Sequence, residues 1–246
     1  MYSIFSILNP GVYHGQYQHA PYFEGWYYRL VSADEKARLA IIPGVFLGKS
    51  GHAFIQILNG VSSRTEYHIF PLQDFKAAKK TFDINIRDNT FSLEGFHLDL
   101  DTSEGQVYGD VNLINPHPWP VTVTSPGIMG WYAWVPAMQC YHGVLSFDHQ
   151  LSGKLEVNGD LIDFSGGRGY VEKDWGSAFP EGYVWMQTNH FEDPGVCLTG
   201  SVAIIPWLKS AFPGFICGLW INGSLFRFAT YTGASLEKLD ISDKDV

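Results

Sequence analysis

The sequence has few cysteines and few basic residues, and each shortage excludes certain classes of structure or function. Its three cysteines, Cys140, Cys197 and Cys217, are odd in number and lack the paired spacing of zinc ligands. They therefore predict neither a disulfide framework nor a zinc knuckle. Only 16 lysines and arginines stand against 25 aspartates and glutamates, which gives a net charge of -9. Because the basic residues are also scattered, the chain lacks the positive surface that DNA or RNA binding requires.

Long apolar runs and targeting segments are also missing. No stretch reaches the ~18 continuous apolar residues of a membrane-spanning helix. Residues 1–8 have no basic flank and too short an apolar run for a signal peptide, and they lack the arginines of a transit peptide. We therefore expect a soluble, cytoplasmic protein. Residues 128–138 carry no charge and are rich in Trp and Tyr. Two readings of them stay open: packing inside the protein, or peripheral contact with a membrane or a lipophilic ligand.

Helical periodicity is equally scarce, whereas the alternation typical of strands is common. Residues 81–87 and 91–113 alternate apolar and polar side chains, which predicts a meander of antiparallel strands. The Asn-Gly pairs at 158–159 and 222–223 each separate two strand-like segments. They predict tight hairpins, because both central residues of such turns need positive φ. The predicted fold class is all-β.

Prolines concentrated between residues 115 and 126 predict a connector, because proline cannot donate to a strand ladder. We therefore expect a first β-unit at residues 1–125 and a second at residues 126–246. The apolar share of 46% indicates a packed interior.

Charged and aromatic residues are mixed between positions 166 and 191. In an extended strand, Tyr170, Glu172 and Asp174 share one face, and Lys173 and Trp175 share the other. Two adjacent carboxylates in a partly desolvated cleft form an acid/base pair, because their repulsion separates the two pKa values. In the alternative interpretation, both carboxylates accept backbone hydrogen bonds at a strand end and are neutralised by a nearby Arg168 or Lys173. The spacing leaves both interpretations open.

A second carboxylate lies among aromatic residues at positions 21–30. Alternation places Glu24 beside Trp26 on one strand face. A buried carboxylate there must find a donor, and the candidates are Arg29, His19 or a residue of the cluster at positions 166–191. Glu24 is therefore either a paired structural carboxylate or part of a site.

Motifs for metal, nucleotide or serine chemistry are missing. His142 and His149 do not have metal-ligand spacing. Ser146 and Ser177 lack a nucleophile-elbow context, and the glycines at 166–169 indicate a tight bend rather than a phosphate loop. We expect no metal ion and no cofactor.

Five segments, in chain order, resemble the tocopherol cyclase family. They are residues 23–27 (FEGWY), 139–146 (QCYHGVLS), 153–155 (GKL), 169–176 (GYVEKDWG) and 185–191 (WMQTNHF). The resemblance implies tandem lipocalin-like antiparallel β-barrel units that close the chromanol ring of tocopherols from a prenylated benzoquinol. Family members usually continue beyond position 246, which implies a last barrel that lacks strands. The missing plastid transit peptide fits a bacterial relative.

Ring closure by this route needs an acid to protonate the alkene, a base for the phenol proton, and aromatic faces for the cation. We assign Asp174 or Glu172 as the acid, His190 as its partner or the base, and Lys173 or Arg168 as the residue that tunes charge. The predicted substrate-contacting residues are Glu24, Trp26, Arg168, Tyr170, Trp175, Trp185, Gln187 and Asn189.

We expect Glu24, Trp26, Asp174 and Trp185 to converge on one cavity. A non-catalytic lipocalin-like carrier of a lipophilic small molecule is the rival hypothesis, because an aromatic-lined barrel cavity needs no catalysis to explain it. Paired carboxylates beside tryptophans also suggest a glycoside-processing enzyme, which is the weakest of the three hypotheses.

Overall fold

The computed structural model describes residues 2–136, 138–207 and 210–242. Helical structure there is short and consists of α1 (Ile4–Ile7) and 3-10 turns at Gly15–Tyr17, Leu72–Asp74, Gly127–Trp134 and Thr230–Thr232. The first nine strands are β1 (Tyr22–Val31), β2 (Arg38–Leu47), β3 (His52–Asn59), β4 (Thr65–Pro71), β5 (Phe75–Ala77), β6 (Asp83–Ile86), β7 (Asn89–Ser92), β8 (Gly95–Thr102) and β9 (Gly105–Ile114). The others are β10 (Cys140–Val157), β11 (Asp160–Asp163), β12 (Arg168–Gly176), β13 (Tyr183–Thr188), β14 (Val196–Trp207), β15 (Ser210–Ile221) and β16 (Ser224–Ala229).

Every strand pairing in these ranges is antiparallel, which confirms the all-β prediction. A 12-stranded sheet has the order β4-β3-β2-β1-β12-β10-β9-β8-β7-β6-β5, and β11 pairs with β10. A separate 4-stranded sheet has the order β13-β14-β15-β16. Both orders are open, since no ladder joins their end strands within the described ranges.

The turn chemistry read from the sequence matches the structure. Asn158 and Gly159 have φ values of 52° and 91° and join β10 to β11. Asn222 and Gly223 have φ values of 45° and 90° and join β15 to β16. Both pairs therefore form the tight hairpins that their residue types predict.

The division of the chain differs from the expected boundary at 125/126. The compact units are residues 1–179 and 180–246. Strand β9 pairs with β10 and strand β1 pairs with β12, so strands on both sides of residue 125 belong to the same sheet. The proline-rich segment is therefore a connector inside the first unit, because the strands before and after it are hydrogen-bonded in the same antiparallel sheet.

The core of the first unit lies on one face of its sheet. Alternate residues of β1, namely Trp26, Tyr28 and Leu30, are fully buried there beside Val171 of β12. The period of two puts the intervening residues on the opposite face. Ionisable side chains occupy both faces where β1, β12 and β10 meet.

Candidate active site

Strand β12 presents ionisable groups on both faces of the sheet. Asp174 lies opposite Gly25 of β1 and His142 of β10, whereas Lys173 lies opposite Trp26. Because side chains directly across a ladder share a face, Asp174 and His142 lie on one side and Lys173 and Trp26 on the other. The predicted split of residues 170–175 between two faces is therefore confirmed.

His142, Glu172 and Asp174 form a triad in which an imidazole lies between two carboxylates. Nδ1 of His142 lies 2.8 Å from Oδ1 of Asp174, and its Nε2 lies 3.5 Å from Oε2 of Glu172. The Tyr170 hydroxyl donates to Oε2 of Glu172 at 2.6 Å. Glu172 is buried, while the Asp174 side chain is 27% exposed. Asp174 is thus the carboxylate of the triad that a ligand reaches most readily.

The two carboxylates keep the imidazole of His142 charged. Burial disfavours the imidazolium, but the negative charges of Asp174 and then Glu172, together with the hydrogen bond to Asp174, outweigh it and raise the pKa of His142 to about 9. At neutral pH the ring therefore carries a proton on each nitrogen, and it donates to Asp174.

Protonation of His142 makes stability depend on pH. Its pKa rises from 6.5 to about 9 on folding, so its stabilising contribution is complete below pH 6.5 and is lost as the pH rises through 9. We expect the difference in unfolding free energy between the wild type and His142→Gln to shrink from pH 6.5 to 9, as measured by denaturant titration.

The matched control for this pH series is His97→Gln. Nδ1 of His97 also contacts an aspartate, Asp110, at 2.9 Å, but the His97 side chain is 43% exposed. Solvent screens such pairs, so the His97→Gln difference should be nearly flat with pH. An equally flat difference for His142→Gln contradicts the assignment of a buried imidazolium.

The triad also has the donor types of a three-residue metal site. One ligand atom from each of His142, Glu172 and Asp174 lies within 4.8 Å of the others. A metal ion takes one imidazole nitrogen as a ligand, whereas here the two ring nitrogens face different carboxylates. This placement suits a bridging imidazolium better than a metal ligand, and the expectation of no metal stays a prediction.

On the opposite face, Lys173 forms the centre of a buried network with Glu24 and His14. Its Nζ atom lies 2.5 Å from Oε1 of Glu24 and 2.6 Å from Nδ1 of His14, and it donates to the carbonyl oxygens of Pro10 and Val12. All three ionisable side chains are fully buried. The network therefore fastens the N-terminal segment, residues 2–17, to the sheet.

Glu24 has donors on both carboxylate oxygens. The backbone N–H groups of His14 and Gly15 and the Tyr22 hydroxyl donate to it at 2.5–3.0 Å. Burial alone raises the pKa of Glu24, but Lys173 and His14 outweigh it and hold that pKa below its usual value. Burial lowers the pKa of Lys173, and Glu24 limits the fall to about 8. Both groups are therefore ionised at neutral pH, so Glu24 is a paired carboxylate.

The aromatic walls predicted for a substrate cation already face a cation of the protein. The Lys173 ammonium lies 4.9 Å from the ring centroid of Trp26 and 4.5 Å from that of Trp175. These distances are within the range of cation-π attraction. Trp26 and Trp175 thus stabilise the buried lysine, whatever else they contact.

The structure corrects two predicted groupings. Glu24 and Trp26 do not share a cavity face with Asp174, because β12 places Lys173 and Asp174 on opposite sides of the sheet. Lys173 lies on the face that alternation predicted, opposite Glu172 and Asp174, but its ion pair is with Glu24, so it does not form the expected pair with those two carboxylates. Arg168 forms a two-pronged ion pair with Asp148, at 2.8 and 2.9 Å.

Four predicted site residues belong to the second unit. Trp185 and Gln187 lie on β13, and Asn189 and His190 follow that strand. Nδ1 of His190 contacts Oδ1 of Asn189 at 2.7 Å. The roles of Trp185, Gln187, Asn189 and His190 stay predictions.

Sequence reasoning missed His142 as the partner of the carboxylates. It was considered only as a metal ligand, although residues 139–146 form one of the family-like segments. His14 was missed as well, because no local pattern marks a residue that pairs across the sheet. The free thiol of Cys140 lies near the triad, and burial raises its pKa well above the usual value. It is therefore a poor nucleophile.

In the ranges that the structure covers, no helix is long and apolar enough to cross a membrane. This agrees with the absence of a long apolar run in the sequence.

The chain is similar in fold to solved structures at very low sequence identity. The structure of CghA matches with a TM-score of 0.54 at 9% identity, over 83% of this chain and 59% of that one. Kievitone hydratase from Nectria haematococca matches with a TM-score of 0.52 at 11% identity, over 89% of this chain and 68% of that one. At these identities the likeness concerns the fold alone.

Sequence relatives point to one family. The probable chloroplastic tocopherol cyclase of Oryza sativa subsp. japonica is 26% identical over 117 residues, and the chloroplastic tocopherol cyclase of Zea mays is 27% identical over 110 residues. These matches cover 46% and 42% of this chain but only 25% and 23% of the relatives. The chain thus spans about a quarter of the length of the curated relatives it matches. The model of the family described as tocopherol cyclase-like matches residues 113–238, slightly more than half of the 246 residues and including the whole triad. The chain therefore belongs to the tocopherol cyclase-like family.

Proposed function

We propose that the protein is an intramolecular lyase of the isomerase class that closes a chromanol ring in a prenylated benzoquinol. The observation that carries the proposal is the triad, in which a charged imidazole donates to a carboxylate that is open to a ligand. Family membership and the names of the plant relatives supply the reaction class.

Asp174 is the proton donor in this proposal. At neutral pH the proton of the triad is on His142, so it first moves from Nδ1 of His142 to Oδ1 of Asp174, 2.8 Å away. Transfer of that proton from Asp174 to the prenyl alkene leaves a tertiary cation and a carboxylate. A carboxylic acid is a much stronger acid than an imidazolium, so Asp174 rather than His142 protonates the alkene.

Glu172 is the base that completes the cycle. The phenol oxygen adds to the tertiary cation, and Glu172 takes the phenol proton, so that the product is an isomer of the substrate. Tyr170 holds the Glu172 carboxylate at 2.6 Å. Glu172 then passes this proton to His142, which restores the imidazolium for the next turnover.

Neutral phenols flank the triad. Tyr27 lies opposite Glu172 on β1, and burial and then the charge of Glu172 raise the pKa of Tyr27 to about 12. Tyr27 therefore stays protonated at neutral pH, so its electron-rich ring is available to a developing cation without adding a competing base.

The direct test is conversion of a short prenylated benzoquinol to its chromanol by the purified full chain. We expect a product of unchanged mass that elutes with an authentic chromanol and carries one deuterium in the new ring when the reaction is run in D2O. Binding of the quinol without any chromanol formation overturns the enzyme proposal in favour of the lipophilic-ligand carrier.

A further inference from the structure

A small pocket lies in the first unit between the N-terminal segment, the Gly127–Trp134 turn, and strands β10 and β12. Its volume is about 10 Å³, roughly the space of one water molecule. Most of its lining is apolar and comes from Ile7, Pro10, Met129, Ala133, Tyr141 and Trp175. His142 of the triad also borders it. The pocket therefore adjoins the triad through His142.

Trp175, one of the lining residues, carries an unused hydrogen-bond donor. The residue is 6% exposed, and its Nε1 atom has no hydrogen-bond partner among the described residues. Its ring is held between His14, at a centroid distance of 4.3 Å, and Tyr141, at 5.7 Å. A buried N–H without an acceptor destabilises the protein, so a rigidly held one beside a pocket indicates a ligand that accepts the hydrogen bond.

The Gly127–Trp134 turn contains two glycines with positive φ. Its helical backbone is broken at Gly130, which has φ 55° and ψ -143°, and Gly127 has φ 68°. Glycine adopts these positive φ values without steric cost. The turn residues Met129 and Ala133 line the pocket, whereas Trp131 is 48% exposed. Rotation about the two glycines would move Met129 and Ala133 away from Trp175 and enlarge the pocket.

We propose that this pocket binds an apolar molecule that carries an acceptor oxygen. Trp175 donates its Nε1–H to that oxygen, and the Gly127–Trp134 turn moves outward to admit the apolar part. A prenylated benzoquinol has both features. The proposal that the pocket binds such a ligand does not depend on the proposed function. The proposal that the pocket presents substrate to the triad rests on the proposed function.

The test compares two tryptophans with two probes. Trp175→Phe keeps an aromatic ring, smaller than indole, but removes the N–H donor. Trp119→Phe is the matched control. Trp119 is 1% exposed, its Nε1 is also unpartnered among the described residues, and its ring stacks on Phe147 instead of lining the pocket. The probes are geranyl benzoquinol and geranylbenzene, which lacks oxygen, in equilibrium titrations.

For Trp175→Phe we expect about 10-fold weaker binding of geranyl benzoquinol, the usual effect of one hydrogen bond to a buried site. Its affinity for geranylbenzene should change less than twofold, and Trp119→Phe should change neither. Equal losses with both probes, or no loss with the quinol, overturn the assignment of Nε1 as the donor.

Filling the pocket supplies an independent variant. Ala133→Phe should abolish binding of both probes while the denaturant midpoint stays near that of the wild type. Unchanged binding overturns the pocket. If Trp175→Phe weakens only quinol binding and the wild type forms no chromanol, the pocket stands and the proposed function fails. If the wild type forms chromanol and Trp175→Phe binds the quinol as tightly as the wild type, the proposed function stands and the pocket assignment fails.

Discussion

Replacing Lys173 with methionine should lower the unfolding free energy of the first unit by about 3–5 kcal/mol, because the change leaves a buried carboxylate without its counter-ion. Lys173 and Glu24 are both 0% exposed and lie 2.5 Å apart. Removal of the Lys173 ammonium group also removes the donor to the Pro10 and Val12 carbonyl oxygens. The N-terminal segment should therefore detach first. Denaturant titration with far-ultraviolet circular dichroism measures the effect.

The double variant Glu24→Gln/Lys173→Met tests the cause. Once the buried charge is removed as well, a large part of the lost stability should return, because replacing a whole buried ion pair is often close to neutral. Lys154→Met is the matched control: Lys154 pairs with Asp163 at 3.2 Å, but both side chains are more than half exposed. The denaturant midpoint of Lys154→Met should be nearly that of the wild type. A Lys173→Met protein as stable as the wild type contradicts the network.

Asp174→Asn should reduce turnover of a prenylated benzoquinol by about 10²-fold or more, with little change in ligand affinity. Asparagine keeps the shape of the side chain but has no proton to give, and general acids contribute rate factors of this size. His142→Gln should also slow turnover, because Asp174 loses the imidazolium that supplies its proton. The measurements are kcat and the binding constant, taken in parallel.

The control for this loss is Asp110→Asn, which alters an exposed aspartate that also contacts a histidine. It should leave turnover unchanged. Wild-type turnover should decline as the pH rises through 9, because His142 loses its proton there, and His142→Gln should lack that decline. Full activity in Asp174→Asn excludes this carboxylate as the acid and leaves Glu172 as the remaining candidate of the triad.

The sequence alone predicted the parts of this protein that depend on local chemistry. Asn-Gly pairs require positive φ, so both hairpins could be placed to the residue. Side-chain alternation along an extended strand separated Glu172 and Asp174 from Lys173 before any partner was known. The family-like segments likewise led to the tocopherol cyclase-like assignment, which the family model supports.

Only the tertiary structure decided which residues meet. His142 and Asp174 are 32 residues apart, and His14 and Lys173 are 159 apart. Their contacts depend on the register of β12 against β10 and on an N-terminal segment that returns to the sheet, and β10 itself carries irregularities that shift this register. A shift of one residue would move every side chain to the other face, so composition and spacing could nominate the carboxylates but could not choose the histidine of β10 that contacts them. That choice is made by strand pairing, since backbone hydrogen bonds and the buried apolar face together determine the register.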